Sequence, residues 1–284
     1  MSAATKKADK DLVVGLGATG LSIARYLKRN DANAIFFDSR EEPPGLEELE
    51  ELFPDAEVQL GKDSVPKGIA RVIASPGVSD SHPLLKKARK RKLEVVSDIE
   101  LFAREAQKPF IAVTGSNGKS TVTTLLYHMC RADGLETLAG GNLGEPALDL
   151  LAAEAPDVYV LELSSFQLQR TQDLPARVAL LLNVSPDHLD WHADEDEYRA
   201  AKYRVYDQAA AAVVNRADEE AAERAAGCDR VVTFGLDAPD ADNFGIVEED
   251  GEKYLACGNV LLLAVRDLAL YGVHNQLNAL AALA

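Results

Sequence analysis

The sequence contains little cysteine and no long apolar run. Its three cysteines, Cys130, Cys228 and Cys257, are far apart and form no C-x-x-C pair, which argues against a disulfide framework or a zinc site. We therefore expect three small, unreactive core side chains in a reducing cytoplasm. No apolar run is long enough to cross a membrane, and the opening residues MSAATKKADK lack the apolar segment of a secretory signal. The composition predicts a cytoplasmic protein without a membrane partner.

Positive charge is also scarce. The 30 lysines and arginines are outnumbered by 46 acidic residues, which leaves a formal net charge of −16. Nucleic-acid binding needs a basic surface, so we expect no nucleic-acid partner. The basic run KKARKRK at residues 86–92 is expected to be the solvent face and positive end of a helix. Any phosphate ligand must be held by loop N–H groups, helix N-termini and a few well-placed cations.

The chain is rich in short β-branched apolar runs that alternate with helical patterns. Examples are DLVVGLG, NAIFFD and ARVIASPG, and further on PFIAVTG and DVYVLELSS. This alternation predicts an α/β fold with parallel sheets and helices on their faces. The length suggests two domains: a Rossmann-like parallel-sheet domain at residues 1–97 and a P-loop-type ATPase domain at 98–284. Turn residues between short apolar runs at 237–265 predict a small antiparallel extension of the second sheet.

The first glycine motif, VVGLGATG, follows an apolar strand and opens a helix. Gly15, Gly17 and Gly20 form the G-x-G-x-x-G pattern of dinucleotide-binding turns, and Asp38 ends the next strand, where NAD enzymes place a ribose-binding carboxylate. A full dinucleotide fold needs two mononucleotide halves, and the next nucleotide motif begins too soon for both. One half suits a mononucleotide diphosphate better, with Arg40 as a cation near the phosphates. The alternative is a tight strand-to-helix turn without a ligand.

The second glycine motif, VTGSNGKST at residues 113–121, is similar to a Walker A loop with fewer residues between its glycines. A strand precedes it and a helix follows, which is the context that a phosphate loop requires. Glycines allow backbone N–H groups to approach phosphate oxygens. Lys119 can reach the β- and γ-phosphates, and Ser120 can ligate Mg²⁺. The motif therefore predicts an ATP site.

Polar side chains follow two buried strands of the second domain. Glu162 ends the strand in VLELSSFQLQ, and His188 follows the next strand in LLNVSPDHLDW. Because the carboxyl ends of parallel strands meet at one edge of a sheet, we expect both side chains beside the phosphate loop, where they can hold a divalent cation. His192, four residues further on, is a second candidate ligand but is expected at the surface. The spacing of Lys202, in the helical stretch EYRAAKYRVY, predicts a surface lysine paired with a carboxylate.

Eight short motifs occur in a fixed order along the chain. They are GLGATGLS, ASPGV, DIELF, VTGSNGKSTVTTL, GGNLG, LELSSFQL, LNVSPDHLD and YRAAKYR. Together they resemble the Mur ligases of peptidoglycan synthesis over the whole chain. The phosphate loop is common to all Mur ligases and to folylpolyglutamate synthases, whereas LELSSFQL and GLGATG are similar to the MurD type, which adds D-glutamate.

The resemblance implies an ATP-dependent amide ligase. ATP would phosphorylate the L-alanine carboxylate of UDP-N-acetylmuramoyl-L-alanine, and the amine of D-glutamate would attack the acyl phosphate. The implied catalytic residues are Lys119, His188 and Lys202. Two Mg²⁺ ions would be held by Ser120, Glu162, His188 and Lys202, with Lys202 carbamylated, which reverses the prediction of a surface lysine.

The resemblance also implies the residues that bind the two nucleotides. Those for ATP are Gly115, Ser116, Asn117, Gly118, Lys119, Ser120, Thr121, Asn275 and Asn278. Those for the uridine diphosphate are Ala18, Thr19, Ser39, Arg40 and Gly77. Those for the muramoyl-alanine portion are Asn142, Ser164, Gln167 and His188.

The sequence ends in a helical pattern, GVHNQLNALAALA, without a closing glycine or cation. By resemblance the family has a further C-terminal domain that binds D-glutamate. We therefore expect this chain to bind the UDP-sugar without ligating it, as a monomer, and to show no D-glutamate-dependent release of ADP. The alternatives are another Mur ligase, a folylpolyglutamate synthase-like ligase, an NAD-dependent oxidoreductase, or a non-catalytic nucleotide-binding module.

Overall fold

The computed structural model describes residues 10–61, 64–185, 191–192 and 194–284. These residues form two compact units. The N-terminal unit contains the described residues up to Glu105 together with Pro146–Glu154 and Arg170–Gln172. The second unit contains Ala106–Glu145, Ala155–Gln169 and Asp173–Ala284. The domain limits drawn from the sequence, 1–97 and 98–284, stay a prediction.

The N-terminal unit is built on a five-stranded sheet in which every neighbouring pair is parallel. In chain order its strands are β1 (Lys10–Val14), β2 (Ala34–Asp38), β3 (Glu57–Leu60), β4 (Ile69–Ala74) and β5 (Glu94–Val96), and its first four helices are α1 (Ala18–Arg29), α2 (Leu46–Leu52), α3 (Pro83–Lys90) and α4 (Asp98–Glu105). The spatial order is β3-β2-β1-β4-β5. The strand order therefore reverses beside β1, where open α/β sheets form a crevice at the carboxyl ends of their strands.

Burial of apolar side chains explains the central position of β1. Leu12, Val13 and Val14 have no exposed surface, as expected for a parallel strand that is covered on both faces. Helix α1 turns Ile23 and Leu27 toward the core, and both are at most 1% exposed. Their four-residue spacing places them on one helix face. Packing in the core therefore fixes the positions of the strand and the helix that flank the glycine motif.

The second unit contains a nine-stranded sheet in the order β14-β13-β12-β11-β10-β9-β6-β8-β7. Its strands are β6 (Phe110–Thr114), β7 (Thr137–Gly141), β8 (Val158–Glu162), β9 (Val178–Leu181), β10 (Ala211–Asn215), β11 (Arg230–Phe234), β12 (Phe244–Glu249), β13 (Glu252–Cys257) and β14 (Val260–Ala264). The helices that follow α4 along the chain are α5 (Lys119–Ala132), α6 (Ala147–Leu150), α7 (Ser165–Gln169), α8 (Glu195–Tyr203), α9 (Glu219–Ala225) and α10 (Val273–Leu283). Helix α6 lies within the N-terminal unit.

The predicted fold class is confirmed. Strands β6 to β11 pair in parallel, and β12 to β14 form the antiparallel extension expected at residues 237–265. The sequence patterns did not reveal β3 or β7, each of which lies at one of the two edges of its sheet. No helix among the described residues is long and apolar enough to span a membrane.

The prediction that the cysteines are core residues is wrong. Cys130, Cys228 and Cys257 are free thiols and all three are only partly buried. Burial raises the pKa of the Cys130 and Cys228 thiols. A raised pKa disfavours the thiolate, which is the reactive form, so these two thiols remain without a predicted chemical function.

Candidate functional site

The glycines of the first motif meet distinct steric demands. Gly15 has a φ of +95°, which L side chains rarely adopt. A Cβ atom on Gly20 would lie 1.9 Å from the carbonyl oxygen of Gly15, so any side chain there would separate α1 from the turn. A Cβ on Gly17 would meet nothing within 4 Å. The turn thus packs tightly at Gly15 and Gly20 and is open at Gly17, where α1 begins.

A cavity of about 440 Å³ lies at this turn, within the N-terminal unit. The N-terminal end of α1 borders it, where the first N–H groups of a helix have no partner inside the helix. All five residues that were predicted to hold a uridine diphosphate line the cavity. The lining residues are Gly15, Gly17, Ala18, Thr19, Phe37, Asp38, Ser39, Arg40, Ser75, Pro76, Gly77, Val78, Ser79 and His82.

The Asp38 carboxylate is fully engaged by the protein. Its Oδ2 accepts hydrogen bonds from the Leu16 amide at 2.7 Å and the Arg40 Nη2 at 2.7 Å, and its Oδ1 accepts from the amide and the Nε of Arg40, both at 2.9 Å. Burial alone would raise the pKa of Asp38, but these bonds outweigh it and lower the pKa to about 2. A carboxylate that already accepts four hydrogen bonds has little capacity left for a ribose hydroxyl. This disfavours the ribose-binding function that a carboxylate at this position has in NAD enzymes.

We predict that Asp38→Asn lowers the melting temperature of the chain by a few degrees at neutral pH. The ionised carboxylate stabilises the fold wherever it is charged, because its pKa is lower in the folded state than in the unfolded state. Its contribution is therefore complete above pH 4 and is lost as the pH falls toward 2. Melting curves between pH 6 and 2 should show the difference between wild type and variant closing in this window. The exposed Asp55, replaced by asparagine, is the control; a gap that stays constant down to pH 2 would contradict the assignment.

The second motif forms a loop between β6 and α5. Gly118 has a φ of +87°, and a Cβ atom at this position would lie 2.4 Å from the Asn278 Oδ1. The positive φ favours glycine here, and a side chain at this position would have to displace the Asn278 amide group. Helix α5 begins at the next residue, Lys119. The loop therefore directs backbone N–H groups to the start of a helix, as phosphate-binding loops do.

Sheet register brings two other strand ends to the same loop. Val113 of β6 pairs with Glu162 of β8, and Thr114 pairs with Leu181 of β9. Beyond β9, the Asn183 Oδ1 accepts a hydrogen bond from the Asn117 amide at 2.9 Å, and the Asn183 Nδ2 donates to the Asn117 carbonyl at 3.0 Å. Asn183 was missed in the sequence, although its place two residues after a buried strand is a usable signal.

Two lysine ammonium groups donate to one carbonyl oxygen of the loop. The Lys119 Nζ lies 2.9 Å from the oxygen of Gly115 and 3.1 Å from that of Ser116. The Lys202 Nζ lies 2.8 Å from the same Gly115 oxygen. Lys202 is 2% exposed, so the prediction of a surface lysine is wrong. The loop thus carries two neighbouring positive charges in a protein of strongly negative net charge.

Helix α8 also supplies a buried tyrosine to the loop. The Tyr198 hydroxyl lies 2.7 Å from the Ser116 Oγ, and its ring lies 4.9 Å from the Lys202 Nζ. Tyr198 and Lys202 are four residues apart and so share one helix face. Tyr198 was missed because nothing in its spacing distinguishes it from a core tyrosine. His192, expected at the surface, is instead 3% exposed and hydrogen-bonded to the Ser165 Oγ at 3.0 Å.

Glu162 lies beside Ser120 at the start of α5. The Ser120 Oγ donates to the Glu162 Oε2 at 2.8 Å, and the Asn142 Nδ2 donates to the Oε1 at 2.7 Å. Glu162 is 2% exposed. A serine hydroxyl and a carboxylate are hard oxygen donors of the kind that Mg²⁺ prefers. His188, the predicted partner of Glu162, lies outside the described residues, and among those described no cluster of three His, Cys, Asp or Glu side chains could hold a metal.

Ser164 and Gln167 are hydrogen-bonded to each other at the start of α7. The Gln167 Oε1 accepts from the amide of Ser164 at 3.0 Å and lies 3.2 Å from its Oγ, while the Ser164 Oγ accepts from the Gln167 amide at 3.2 Å. Both residues are at least nine-tenths buried. This reciprocal cap fixes the turn that follows Glu162.

A second cavity, of about 640 Å³, adjoins the phosphate loop within the second unit. Of the residues predicted to bind ATP, five border it. The lining residues are Asn117, Gly118, Thr121, Leu182, Asn183, Asn215, Phe234, Leu270, His274, Asn275, Leu277 and Asn278. Asn275 and Asn278 are joined by a hydrogen bond of 3.2 Å. Both apolar and amide side chains line this space, a composition suited to a planar polar ring such as a nucleobase.

The parallel strands β6, β8 and β9 and the loop between β6 and α5 define a protein of the phosphate-loop class. A family description, "Mur ligase middle domain", matches residues 113–284, and a second, "Mur ligase MurD-like, N-terminal domain", matches residues 9–97. The chain belongs to the Mur ligase family.

Two curated relatives are similar over almost the whole chain. UDP-N-acetylmuramoylalanine--D-glutamate ligase of Legionella pneumophila (strain Paris) is 47% identical over 281 residues, which cover 96% of this chain and 62% of the relative. The enzyme of the same name from Nitrosococcus oceani is 46% identical, with 96% and 61% covered. The chain thus spans about three fifths of the length of these relatives.

Solved structures share the fold at lower identity. The UDP-N-acetylmuramate:L-alanyl-gamma-D-glutamyl-meso-diaminopimelate ligase from Neisseria meningitides has a TM-score of 0.62 and 18% identity, with 97% of this chain and 92% of that chain covered. UDP-N-acetylmuramate-alanine ligase from Thermotoga maritima has a TM-score of 0.57 and 21% identity, with 96% and 64% covered. At this identity the likeness concerns the fold alone.

Proposed function

We propose that the protein acts in peptidoglycan synthesis as an ATP-dependent ligase that adds D-glutamate to UDP-N-acetylmuramoyl-L-alanine. The observation that carries the proposal is the phosphate loop of a Mur ligase middle domain, with Lys119 and Lys202 on one loop carbonyl and Glu162 beside Ser120. The similarity to D-glutamate ligases at 47% identity supports D-glutamate as the amine substrate.

The reaction has two steps. A carboxylate oxygen of the L-alanine attacks the γ-phosphorus of ATP, ADP leaves, and an acyl phosphate forms. The amine of D-glutamate then attacks the acyl carbon, a proton is lost from nitrogen, and the tetrahedral intermediate releases phosphate and leaves the amide. Phosphoryl transfer depends mainly on positioning and on neutralising charge. Lys119 and the N–H groups at the start of α5 are suited to both tasks.

Mg²⁺ is the metal that the donor set fits. Ser120 and Glu162 would hold it, and its positive charge would neutralise phosphate oxygens. We propose that Lys202 is carbamylated when it contributes to a second Mg²⁺ with His188. The protonated amine is a cation without a free lone pair and cannot ligate a metal, whereas a carbamate is an oxygen donor with negative charge. The repulsion between Lys119 and Lys202 at the Gly115 oxygen supports this change of charge.

The cavity of the N-terminal unit is proposed to bind the uridine diphosphate of the acceptor. The open N–H groups of α1 suit the phosphates, and Ala18, Thr19, Ser39, Arg40 and Gly77 border the space. Asn142, Ser164 and Gln167 are proposed to contact the muramoyl-alanine portion, together with His188. We further propose that the protein acts as a monomer in the cytoplasm, where ATP and UDP-sugars are available.

Calorimetry on this chain tests the acceptor. We expect UDP-N-acetylmuramoyl-L-alanine to bind with one site per chain, UDP to compete with it, and NAD to show no heat of binding. Tight binding of NAD or NADH without any response to the UDP-sugar would instead indicate an oxidoreductase. Amine specificity is checked on a chain of the relatives' full length by ADP release with D-glutamate, L-lysine or diaminopimelate, of which only D-glutamate should support turnover.

A further inference from the structure

Arg170 is a buried arginine that donates to three acceptors in one loop of the N-terminal unit. Its side chain is 2% exposed, and its guanidinium donates to the Asp80 Oδ1 at 2.7 Å, to the Ser75 carbonyl at 3.0 Å and to the Val78 carbonyl. In the sequence it is the residue directly after α7, far from the loop that it holds. A planar guanidinium can serve three acceptors at once because its donors are fixed in a fork.

The loop that Arg170 holds forms one side of the cavity beside the first glycine motif. Ser75, Gly77 and Val78 line that cavity, whereas Arg170 does not. The turn is closed by the Val78 amide, which donates to the Ser75 carbonyl at 3.0 Å, and it is tied to the glycine motif by the Ser75 Oγ, which donates to the Gly15 carbonyl at 3.0 Å. Arg170 therefore contacts the turn from outside the cavity.

Both members of the pair stay charged at neutral pH, because burial lowers the pKa of Arg170 but a guanidinium remains protonated. Burial alone would raise the pKa of Asp80, but the positive charge of Arg170 and the hydrogen bond from Arg89 outweigh it and hold the pKa below its ordinary value. The Arg170 guanidinium thus meets an ionised carboxylate, and such charge-assisted bonds are stronger than neutral ones. The next residues strengthen the attachment, since the Thr171 Oγ1 lies 2.9 Å from the Ser97 Oγ and the Gln172 amide donates to Glu100 at 2.6 Å.

We propose that Arg170 is a positioning residue for the nucleoside-diphosphate cavity of the N-terminal unit. It acts through the Ser75–Asp80 loop and not by touching the ligand. The inference rests on the proposed function, because it assumes that this cavity holds the uridine diphosphate. Without Arg170, the loop would sample other conformations, and the apparent dissociation constant rises as the fraction of binding-competent loop falls.

The test is to measure the binding of UDP by calorimetry. The binding of ADP, measured in the same way, reports on the cavity beside the phosphate loop. Arg170→Lys keeps the positive charge, but one ammonium group on a flexible stem cannot replace the three bonds of the fork. We expect UDP to bind about tenfold more weakly, which corresponds to a loop that is competent in about one tenth of the molecules. ADP should bind as in the wild type.

Arg89 provides a matched control. It also contacts Asp80, at 2.8 Å, but its side chain is 43% exposed and it does not hold the carbonyls of Ser75 and Val78. Arg89→Lys should therefore bind UDP within about twofold of the wild type. A folded Arg170→Lys variant with wild-type affinity for UDP would overturn the inference, as would an equal loss of UDP and ADP binding, which would indicate general damage.

Asp80→Asn keeps the inference testable if the Arg170 variant does not fold. It removes the charge on the loop side of the same contact and should weaken UDP binding in the same direction; unchanged binding would contradict the inference. Failure of the wild-type chain to bind UDP would refute the proposed function itself. If the wild type binds UDP and a folded Arg170 or Asp80 variant binds it equally well, only the positioning role of Arg170 is refuted.

Discussion

Replacing Lys119 with alanine is expected to weaken the binding of ADP by about 10- to 100-fold, because each hydrogen bond to a charged group contributes about 1.5–3 kcal/mol. The Lys119 ammonium lies on the carbonyls of Gly115 and Ser116, at the start of α5. From there it can neutralise phosphate oxygens that the loop N–H groups approach. Calorimetry with ADP measures the loss, and the affinity for UDP, which belongs to the other cavity, should not change.

The same substitution should leave the fold intact. Lys202 donates to the Gly115 oxygen as well, and two positive charges that share one acceptor repel each other. Removing one of them should keep the melting temperature unchanged or raise it. Lys108→Ala, at an exposed lysine before β6, is the control. Wild-type affinity for ADP in the Lys119 variant would mean that the loop does not bind phosphate.

Glu162→Gln is expected to abolish the gain in ADP affinity that Mg²⁺ provides. The substitution keeps the size of the side chain and a partner for Ser120 and Asn142, both now bonded to Glu162, but it removes the negative charge that a hard cation requires. Affinity for ADP without metal should be retained or slightly increased, since a buried carboxylate next to the loop repels phosphate. Titrations with and without Mg²⁺ measure the effect, which we expect to be about tenfold or more, equivalent to about 1.4 kcal/mol.

Glu136 provides the matched control for this experiment. It lies in the same unit, but its side chain is 78% exposed. Glu136→Gln should respond to Mg²⁺ as the wild type does. An unchanged Mg²⁺ effect in the Glu162 variant would exclude Glu162 as a metal ligand and would leave Ser120 without a carboxylate partner for the metal.

The elements around both glycine motifs could be predicted from the sequence because local signals agree there with the fold. The strands before Gly15 and Gly115 are continuous apolar runs, as buried parallel strands are. The proximity of Glu162 to the loop could also be predicted, since parallel strands end at one edge of a sheet, and the register of Val113 with Glu162 fulfils that expectation. The antiparallel extension followed from its short runs and turn residues.

Other features depend on contacts that spacing does not reveal. Lys202 and His192 were expected at the surface because lysine and histidine in polar stretches are usually solvated, yet packing against the phosphate loop and α7 buries them. Asn183 and Tyr198 hold the loop through hydrogen bonds between residues distant in sequence. Arg170 carries no motif, and only the fold brings it to the loop of Ser75 and Asp80. The predicted function of His188 stays a prediction.

We propose that the two glycine motifs of this chain hold two different nucleotides. The most direct test is a calorimetric titration in which UDP-N-acetylmuramoyl-L-alanine is added to the chain already saturated with ADP and Mg²⁺. We expect one equivalent of the UDP-sugar to bind while ADP remains bound, because each motif has a cavity of its own, of about 440 and about 640 Å³. Displacement of ADP by the UDP-sugar, or occupation of the first cavity by NAD in its place, would contradict it.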